Sequence, residues 1–122
     1  MKDLRKIAQQ QTVLSKLMEG REKITMETLV RNYPNGVTVT GVDLVPDTKT
    51  GDMYSIFTFS ENEKLFASGG IVFNKVVNAW LREYDNDIEM LNHDLPEMGG
   101  VKIRFSYGRT ANNRDIVKCE IL

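Results

Sequence analysis

The most strongly patterned part of the chain is KLFASGGIVFNKVVNAWLREY, residues 64–84. Its first four residues predict a short strand, and the part after the Ser-Gly-Gly break predicts an amphipathic helix over 70–84, capped by Ser68 or Gly69. Apolar side chains recur there every three or four positions, so they share one face of the helix. That face carries Val72, Phe73, Val76, Val77, Trp80, Leu81 and Tyr84. Valine is a mediocre helix former, and this helix therefore needs a sheet to pack against.

Strand-like segments lie on both sides of the helix. Residues 37–45, 53–60 and 64–67 precede it, and residues 101–107 and 115–122 follow it. The apolar face of the first segment switches at Gly41, which predicts a β-bulge. A second helix is predicted after the central one, with Ile88, Leu91 and Leu95 directed inward.

The order of these elements predicts the fold class. Three strands, a helix and two strands (βββ-α-ββ) is the order of the OB-fold, a small Greek-key barrel. We therefore expect an α+β protein, mainly β: a five-stranded OB-like Greek-key barrel domain over residues 36–122, preceded by an N-terminal helical extension over residues 1–35. A different α+β sandwich and an SH3-like barrel are the alternatives, and the SH3-like barrel leaves the central helix unexplained.

The N-terminal extension opens with an amphipathic helix over residues 2–19. Its apolar stripe is interrupted by Gln11, and Gly20 is a natural stop. An interrupted stripe is compatible with loose docking on the barrel, with a homo-oligomer or protein partner bound through this helix, and with disorder before binding. The sequence leaves these alternatives open.

The amino-acid composition limits the classes of protein to which the chain can belong. The 122 residues are 41% apolar and 27% charged, with a single cysteine, as is typical of one soluble globular domain without disulfides. No apolar run approaches the roughly 20 residues of a membrane span, and the N-terminus lacks the apolar core of a signal peptide. We therefore expect a cytoplasmic protein with no membrane partner.

The net charge of −1 conceals a segregation of charge along the chain. Residues 1–36 carry seven Lys/Arg against four acids, and residues 98–122 carry five against two. Residues 82–97, in contrast, hold six acids against Arg82 alone. Either the acidic run is a solvated helix face, or one surface of the protein is kept positive for a polyanion.

Catalytic and metal-binding patterns are weak. His93 is the sole histidine and has no Cys or second His near it, so we expect a surface residue and not a zinc ligand. Cys119 lies on the apolar face of a predicted strand, which favours a small core residue over a nucleophile. Gly69-Gly70 lacks the lysine and the spacing of a phosphate-binding loop. We expect no enzymatic activity, no cofactor and no metal.

Three segments carry a resemblance to a known family. They are GVTVTGVD (36–43), the strand over 54–59, and GVKI (100–103) leading through a basic loop to VKCEI (117–121). Together they resemble OB-fold single-stranded-DNA-binding proteins, and in particular small phage and mobile-element proteins of Gram-positive bacteria. The resemblance implies binding of single-stranded DNA with little sequence preference, in phage or mobile-element replication or recombination. The first 35 residues and the lack of a flexible acidic tail depart from that family, so tail-mediated recruitment of replication partners is not expected.

The resemblance also implies where DNA would lie. Such proteins stack bases on aromatic rings of the second and third strands and neutralise phosphates with cations of the flanking loops. The aromatic candidates are Tyr54, Phe57, Phe59 and Phe66. The cationic candidates are Lys49, Lys64, Lys102, Arg104, Arg109 and Arg114. Alternation sends Phe57 and Phe59 to one face and Tyr54 to the other, and which face is outward stays open, whereas Phe105 and Tyr107 are expected in the core.

A second function class stays open beside DNA binding. The same barrel could serve as a protein-interaction or regulatory module without nucleic-acid binding, because OB barrels carry several unrelated functions. The near-neutral net charge favours this alternative, whereas the aromatic strands and basic loops favour DNA.

Overall fold

The computed structural model describes residues 4–46, 49–109, 111–113 and 115–122. In chain order, these residues form α1 (Leu4–Met18), β1 (Glu22–Lys23), α2 (Met26–Asn32), β2 (Val37–Pro46), β3 (Met53–Phe59), β4 (Leu65–Gly69), α3 (Ile71–Glu83), α4 (Ile88–Glu97), β5 (Val101–Arg109) and β6 (Asp115–Ile121). None of these helices is long and apolar enough to cross a membrane. The fold is α+β and is organised on one sheet.

The sheet has six strands in the order β1-β4-β3-β2-β5-β6. All neighbours are antiparallel except β1 and β4, which run parallel. Among the described residues no ladder joins β4 to β6, so the sheet is open and has six strands where a five-stranded closed barrel was expected. The sequence pattern does not reveal β1, because two residues are too few to show a period. Backbone bonds define it: the Glu22 N–H donates to the Lys64 carbonyl and the Ile24 N–H to the Phe66 carbonyl, both at 2.9 Å.

The central helix predicted over 70–84 is confirmed as α3, but its N-cap is Gly70 and not the predicted Ser68 or Gly69. It contributes Phe73 to an aromatic cluster on the inner face of the sheet. The Phe73 ring centroid lies 5.1 Å from that of Phe57 and 5.4 Å from that of Phe105. Phe57 and Phe105 are themselves stacked at 5.1 Å. This cluster fixes α3 against the inner faces of β3 and β5.

The β-bulge predicted at Gly41 is confirmed, because the register of β2 against β3 shifts between Val39 and Gly41. A Cβ added to Gly41 would lie 2.6 Å from Leu17 Cδ2 and 2.8 Å from the Thr58 hydroxyl oxygen. Glycine therefore lets α1 approach the sheet closely at this point. Leu17 and Val13 of α1 are buried. Of the alternatives left open for this helix, packing on the sheet is the one observed.

Helices α1 and α3 cover opposite faces of β2 and β3. Gly41 contacts α1, whereas the next residue, Val42, pairs in register with Phe57, which packs on α3. The remaining edge of β2 is covered by α4, because β5 pairs with β2 only over residues 37–39. Beyond that point the Val42 N–H donates to Asn92 Oδ1 at 2.7 Å, and Asn92 Nδ2 donates to the Val42 carbonyl at 2.8 Å. The side-chain amide of Asn92 thus forms the two hydrogen bonds that a neighbouring strand would otherwise form with the backbone of Val42.

Candidate nucleic-acid interface

The aromatic residues predicted to stack bases lie mostly in the core. Phe57 and Phe59 have no exposed surface, and Phe66 is 7% exposed. A base needs an open ring face, so the assignment of these three phenylalanines to a binding surface is wrong. The physical reason is that β3 and β4 are covered on both faces, by α3 on one side and by the N-terminal segment on the other. Of the four predicted aromatics, Tyr54 alone keeps a partly exposed side chain.

The predicted cations are exposed wherever the structure describes them, but they do not form one group. Lys49 lies in the connection between β2 and β3, and Lys64 lies in the turn before β4. Arg114 lies outside the described residues. The other three, Lys102, Arg104 and Arg109, all belong to β5. The structure therefore brings together half of the predicted cations, on the hairpin formed by β5 and β6.

The β5–β6 hairpin also carries a cation that the sequence analysis missed. Because side chains alternate along a strand, Lys102, Arg104 and Ser106 share one face of β5. Lys118 of β6 pairs in register with Ser106, so it joins them on that face. Its side chain extends across Gly108, which has no Cβ to obstruct it. The signal was available in the sequence, since Lys118 alternates with the apolar Val117 and Cys119. We call Lys102, Arg104, Arg109 and Lys118 the hairpin cations.

Two hairpin cations have acidic partners. The Arg104 guanidinium forms an ion pair with Glu120 across the two strands. Arg109 Nη1 donates to Asn113 Oδ1 at 3.1 Å, and Arg109 Nε lies 3.7 Å from Asp115 Oδ1. Ion pairs this exposed contribute at most about 1 kcal/mol. A phosphate group can therefore compete with these carboxylates for the guanidinium groups.

A third acid, Glu61, lies near the other end of the hairpin. The Glu61 carboxylate accepts hydrogen bonds from the Thr38 N–H at 2.6 Å and from the Thr38 hydroxyl at 2.8 Å. Partial burial raises the pKa of Glu61, but these hydrogen bonds and the Lys102 charge outweigh it and leave the pKa below its usual value. Glu61 is therefore ionised at neutral pH and reduces the positive potential around Lys102.

Tyr107 differs from its predicted position. It was expected in the core with Phe105; Phe105 is indeed 2% exposed, but Tyr107 is 49% exposed. The hairpin extends past the start of β2, because Val37, the first residue of β2, already pairs with Ile103. Partial burial raises the pKa of Tyr107, and the carboxylates of α2 and β6 nearby raise it further. The ring is an accessible aromatic face next to Arg109.

The two residues weighed for catalysis have ordinary environments. His93 is exposed, and its Nδ1 lies 3.2 Å from Asp94 Oδ1. Cys119 is half-buried, and burial raises the pKa of its thiol, which makes it a weaker nucleophile at neutral pH. In the described part of the chain, no three His, Cys, Asp or Glu side chains are grouped so that they could hold a metal ion.

A cavity of about 610 Å³ lies between α1, α4 and the bulge of β2. Its lining mixes Lys16 and Arg21 with Glu63 and Glu89. Arg21 is engaged there, since its guanidinium donates to the Glu63 carbonyl at 2.8 Å and to the Leu17 carbonyl at 3.1 Å. The mixed charge selects neither an anionic nor a cationic ligand.

Comparison of the chain with protein-family models, with curated proteins and with solved structures finds no significant match. A function for the chain must therefore be inferred from its own geometry. The hairpin cations are exposed: Lys102, Arg104 and Lys118 share one face of the hairpin, and Arg109 lies on the other face with Tyr107.

Proposed function

We propose that the protein binds single-stranded DNA with little sequence preference through the β5–β6 hairpin. The observation that carries the proposal is the grouping of Lys102, Arg104 and Lys118 on the solvent-facing side of a two-stranded ribbon, with Arg109 exposed at the end of β5. Cations attract the phosphate backbone without regard to base sequence, and the released counterions make such binding dependent on salt. A role in phage or mobile-element replication or recombination rests on the family resemblance alone.

The strand order supports an OB-like scaffold for this activity. The central strand β2 pairs with both β3 and β5, and α3 follows β4, as the order of an OB barrel requires. In such barrels the loop between the last two strands is one of the loops that contact ligands. Here β5 ends at Arg109 and β6 begins at Asp115, so Arg109 stands at the start of that connection.

The burial of the phenylalanines limits the expected affinity. Stacking adds about 1–3 kcal/mol for each base on an open aromatic ring. Tyr54 and Tyr107 are the two rings from the β3 and β5 strands that remain accessible. We therefore expect binding dominated by phosphate contacts, with a dissociation constant of about 1–100 μM at physiological salt.

The alternative of a protein-interaction module is favoured by one observation. An OB protein offers one face of the strands that correspond to β3 and β4 to nucleic acid, and α1 covers the β3 part of that face in this structure. A scaffold whose usual binding face is closed has to bind its partner elsewhere. The two functions differ in one measurement, since a protein-interaction module without nucleic-acid affinity gives no titration curve with oligo-dT.

The test is a fluorescence titration of labelled oligo-dT at several salt concentrations. Replacing two hairpin cations together, Lys102→Gln with Lys118→Gln, should weaken binding and flatten the salt slope by about 0.7 for each phosphate that the variant no longer neutralises. The matched control is Lys75→Gln with Arg82→Gln, which removes the same charge from exposed positions of α3. DNA binding through the hairpin is refuted if both double variants bind alike, or if the wild-type protein does not bind at low salt and high micromolar concentration.

A further inference from the structure

An apolar groove lies between α3 and α4 near the start of β5. Its volume is about 140 Å³. Its apolar lining consists of Trp80, Tyr84, Leu91, Leu95, Met98 and Val101. Met98 is 56% exposed at its edge. A methionine there can adapt its flexible, polarizable side chain to an incoming apolar group. We call this feature the α3–α4 groove.

Acidic side chains lie beside the α3–α4 groove. Glu83 contributes to its lining, and the Tyr84 hydroxyl donates a hydrogen bond to Asp94 Oδ2 at 2.9 Å. Glu97 is exposed and precedes Met98 directly. An apolar floor beside an acidic rim is complementary to a cationic amphipathic segment.

We propose that the α3–α4 groove binds a basic amphipathic helix of a partner protein. One large apolar side chain of the partner helix enters the groove. Lysine or arginine side chains of the same helix lie over Glu83, Asp94 and Glu97. The volume decides against a small-molecule site, because such pockets measure about 300–1,000 Å³. A single apolar anchor in a groove with charged residues around it is a common way of recognising a helical peptide.

This surface is separate from the proposed DNA-binding surface. Its acids repel the phosphates that the hairpin cations attract, so nucleic acid and the basic helix select different faces of the protein. The proposal therefore does not depend on DNA binding, and each can fail without the other.

Trp80 gives a direct readout of occupancy, because it is the sole tryptophan of the chain and lines the groove. The probe is a peptide of about 14 residues without aromatic side chains, with leucines on one helical face and lysines elsewhere. We expect it to shift the emission of Trp80 in a saturable way and to bind more weakly as salt is raised. A peptide of the same pattern with glutamate in place of lysine should bind at least about tenfold more weakly, since the acidic rim repels it.

Two methionines of the same helical region provide a matched pair of variants. Met98→Asp puts a charge into the groove and should weaken binding of the lysine peptide about tenfold or more. Met90→Asp makes the same change at a site that is 49% exposed and outside the groove lining, and should leave binding unchanged. Far-UV circular dichroism and thermal unfolding check the fold of both, and Met98→Ala replaces Met98→Asp if the latter unfolds.

Four results would overturn the proposal. They are no change in Trp80 emission up to millimolar lysine peptide, equal binding of the acidic peptide, equal effects of the Met90 and Met98 variants, and self-association of the protein that blocks the groove. The last is measured by analytical ultracentrifugation at the titration concentrations, and it would assign the groove to a second copy of this chain.

Discussion

Strands β3 and β5 are both rich in apolar residues, yet their exposure to solvent differs greatly. The last five residues of β3, Ser55–Phe59, are all buried. In the nine residues of β5 only Ile103 and Phe105 are buried. Strand β3 lies between α1 and α3, whereas β5 has α3 on one face and solvent on the other.

The difference shows which strand is free to bind a ligand. A strand covered on both faces contributes its aromatic residues to the core, where they stabilise the fold and are closed to bases. A strand covered on one face keeps every second side chain in water, and in β5 those side chains include Lys102 and Arg104. Aromatic content alone therefore does not identify a stacking surface, because coverage of the strand decides the role of its rings.

The largest expected contrast is between one aromatic residue from each strand. Phe57→Ala removes a side chain with no exposed surface and should lower the free energy of unfolding by about 3–5 kcal/mol. Tyr107→Ala removes a half-exposed ring and should cost about 1 kcal/mol or less. Urea denaturation of both variants measures the difference. Similar destabilisation of the two variants would show that β3 and β5 are equally enclosed in solution.

The sequence predicted the secondary-structure elements more accurately than it predicted which side chains are exposed to solvent. The stripe on α3, the bulge at Gly41 and the alternation of β5 as far as Phe105 follow from local patterns, and the structure confirms them. Phe57 is buried because β3 turns this residue toward α3, where it packs on Phe73 and Phe105. The sequence predicted that helix but not the face of β3 that it covers. The exposure of Tyr107 depended on the register of β5 against β2, a long-range property that no local period encodes.

Asp43 provides a test of how completely the β2–β3 region excludes water. Its side chain is buried, Oδ1 accepts from the Leu44 N–H at 2.8 Å, and Oδ2 has no hydrogen-bond partner. Burial raises the pKa of this carboxyl from 3.8 to about 7, against a smaller opposing effect of the Leu44 hydrogen bond. Between those pH values the folded state keeps a proton that the unfolded state releases. The bound proton of Asp43 therefore contributes to the free energy of unfolding. This contribution is complete below about pH 4 and is lost as pH rises towards 7.

Asp43→Asn should remove this dependence, because the amide stays neutral at every pH. The unfolding free energy of the variant relative to wild type should increase by on the order of 3 kcal/mol between pH 4 and pH 8. Urea denaturation at intervals of pH gives both curves, and groups elsewhere in the protein cancel in their difference. Curves that run parallel from pH 4 to pH 8 would mean that water reaches the carboxylate, so that β2 is less enclosed than the structure indicates.

The smallest expected effect belongs to the open strand, at the ion pair between Arg104 and Glu120. Both side chains are well exposed, at 44% and 58% of their surface. A double-mutant cycle with Arg104→Ala and Glu120→Ala should give a coupling energy below about 1 kcal/mol, falling further as salt is raised. A weak, screened pair leaves the guanidinium available to a phosphate at little cost, as binding by the hairpin cations requires. A coupling energy well above 1 kcal/mol that persists at high salt would mean that Arg104 stays paired with Glu120. The proposed DNA contact would then have to be made by Lys102, Arg109 and Lys118.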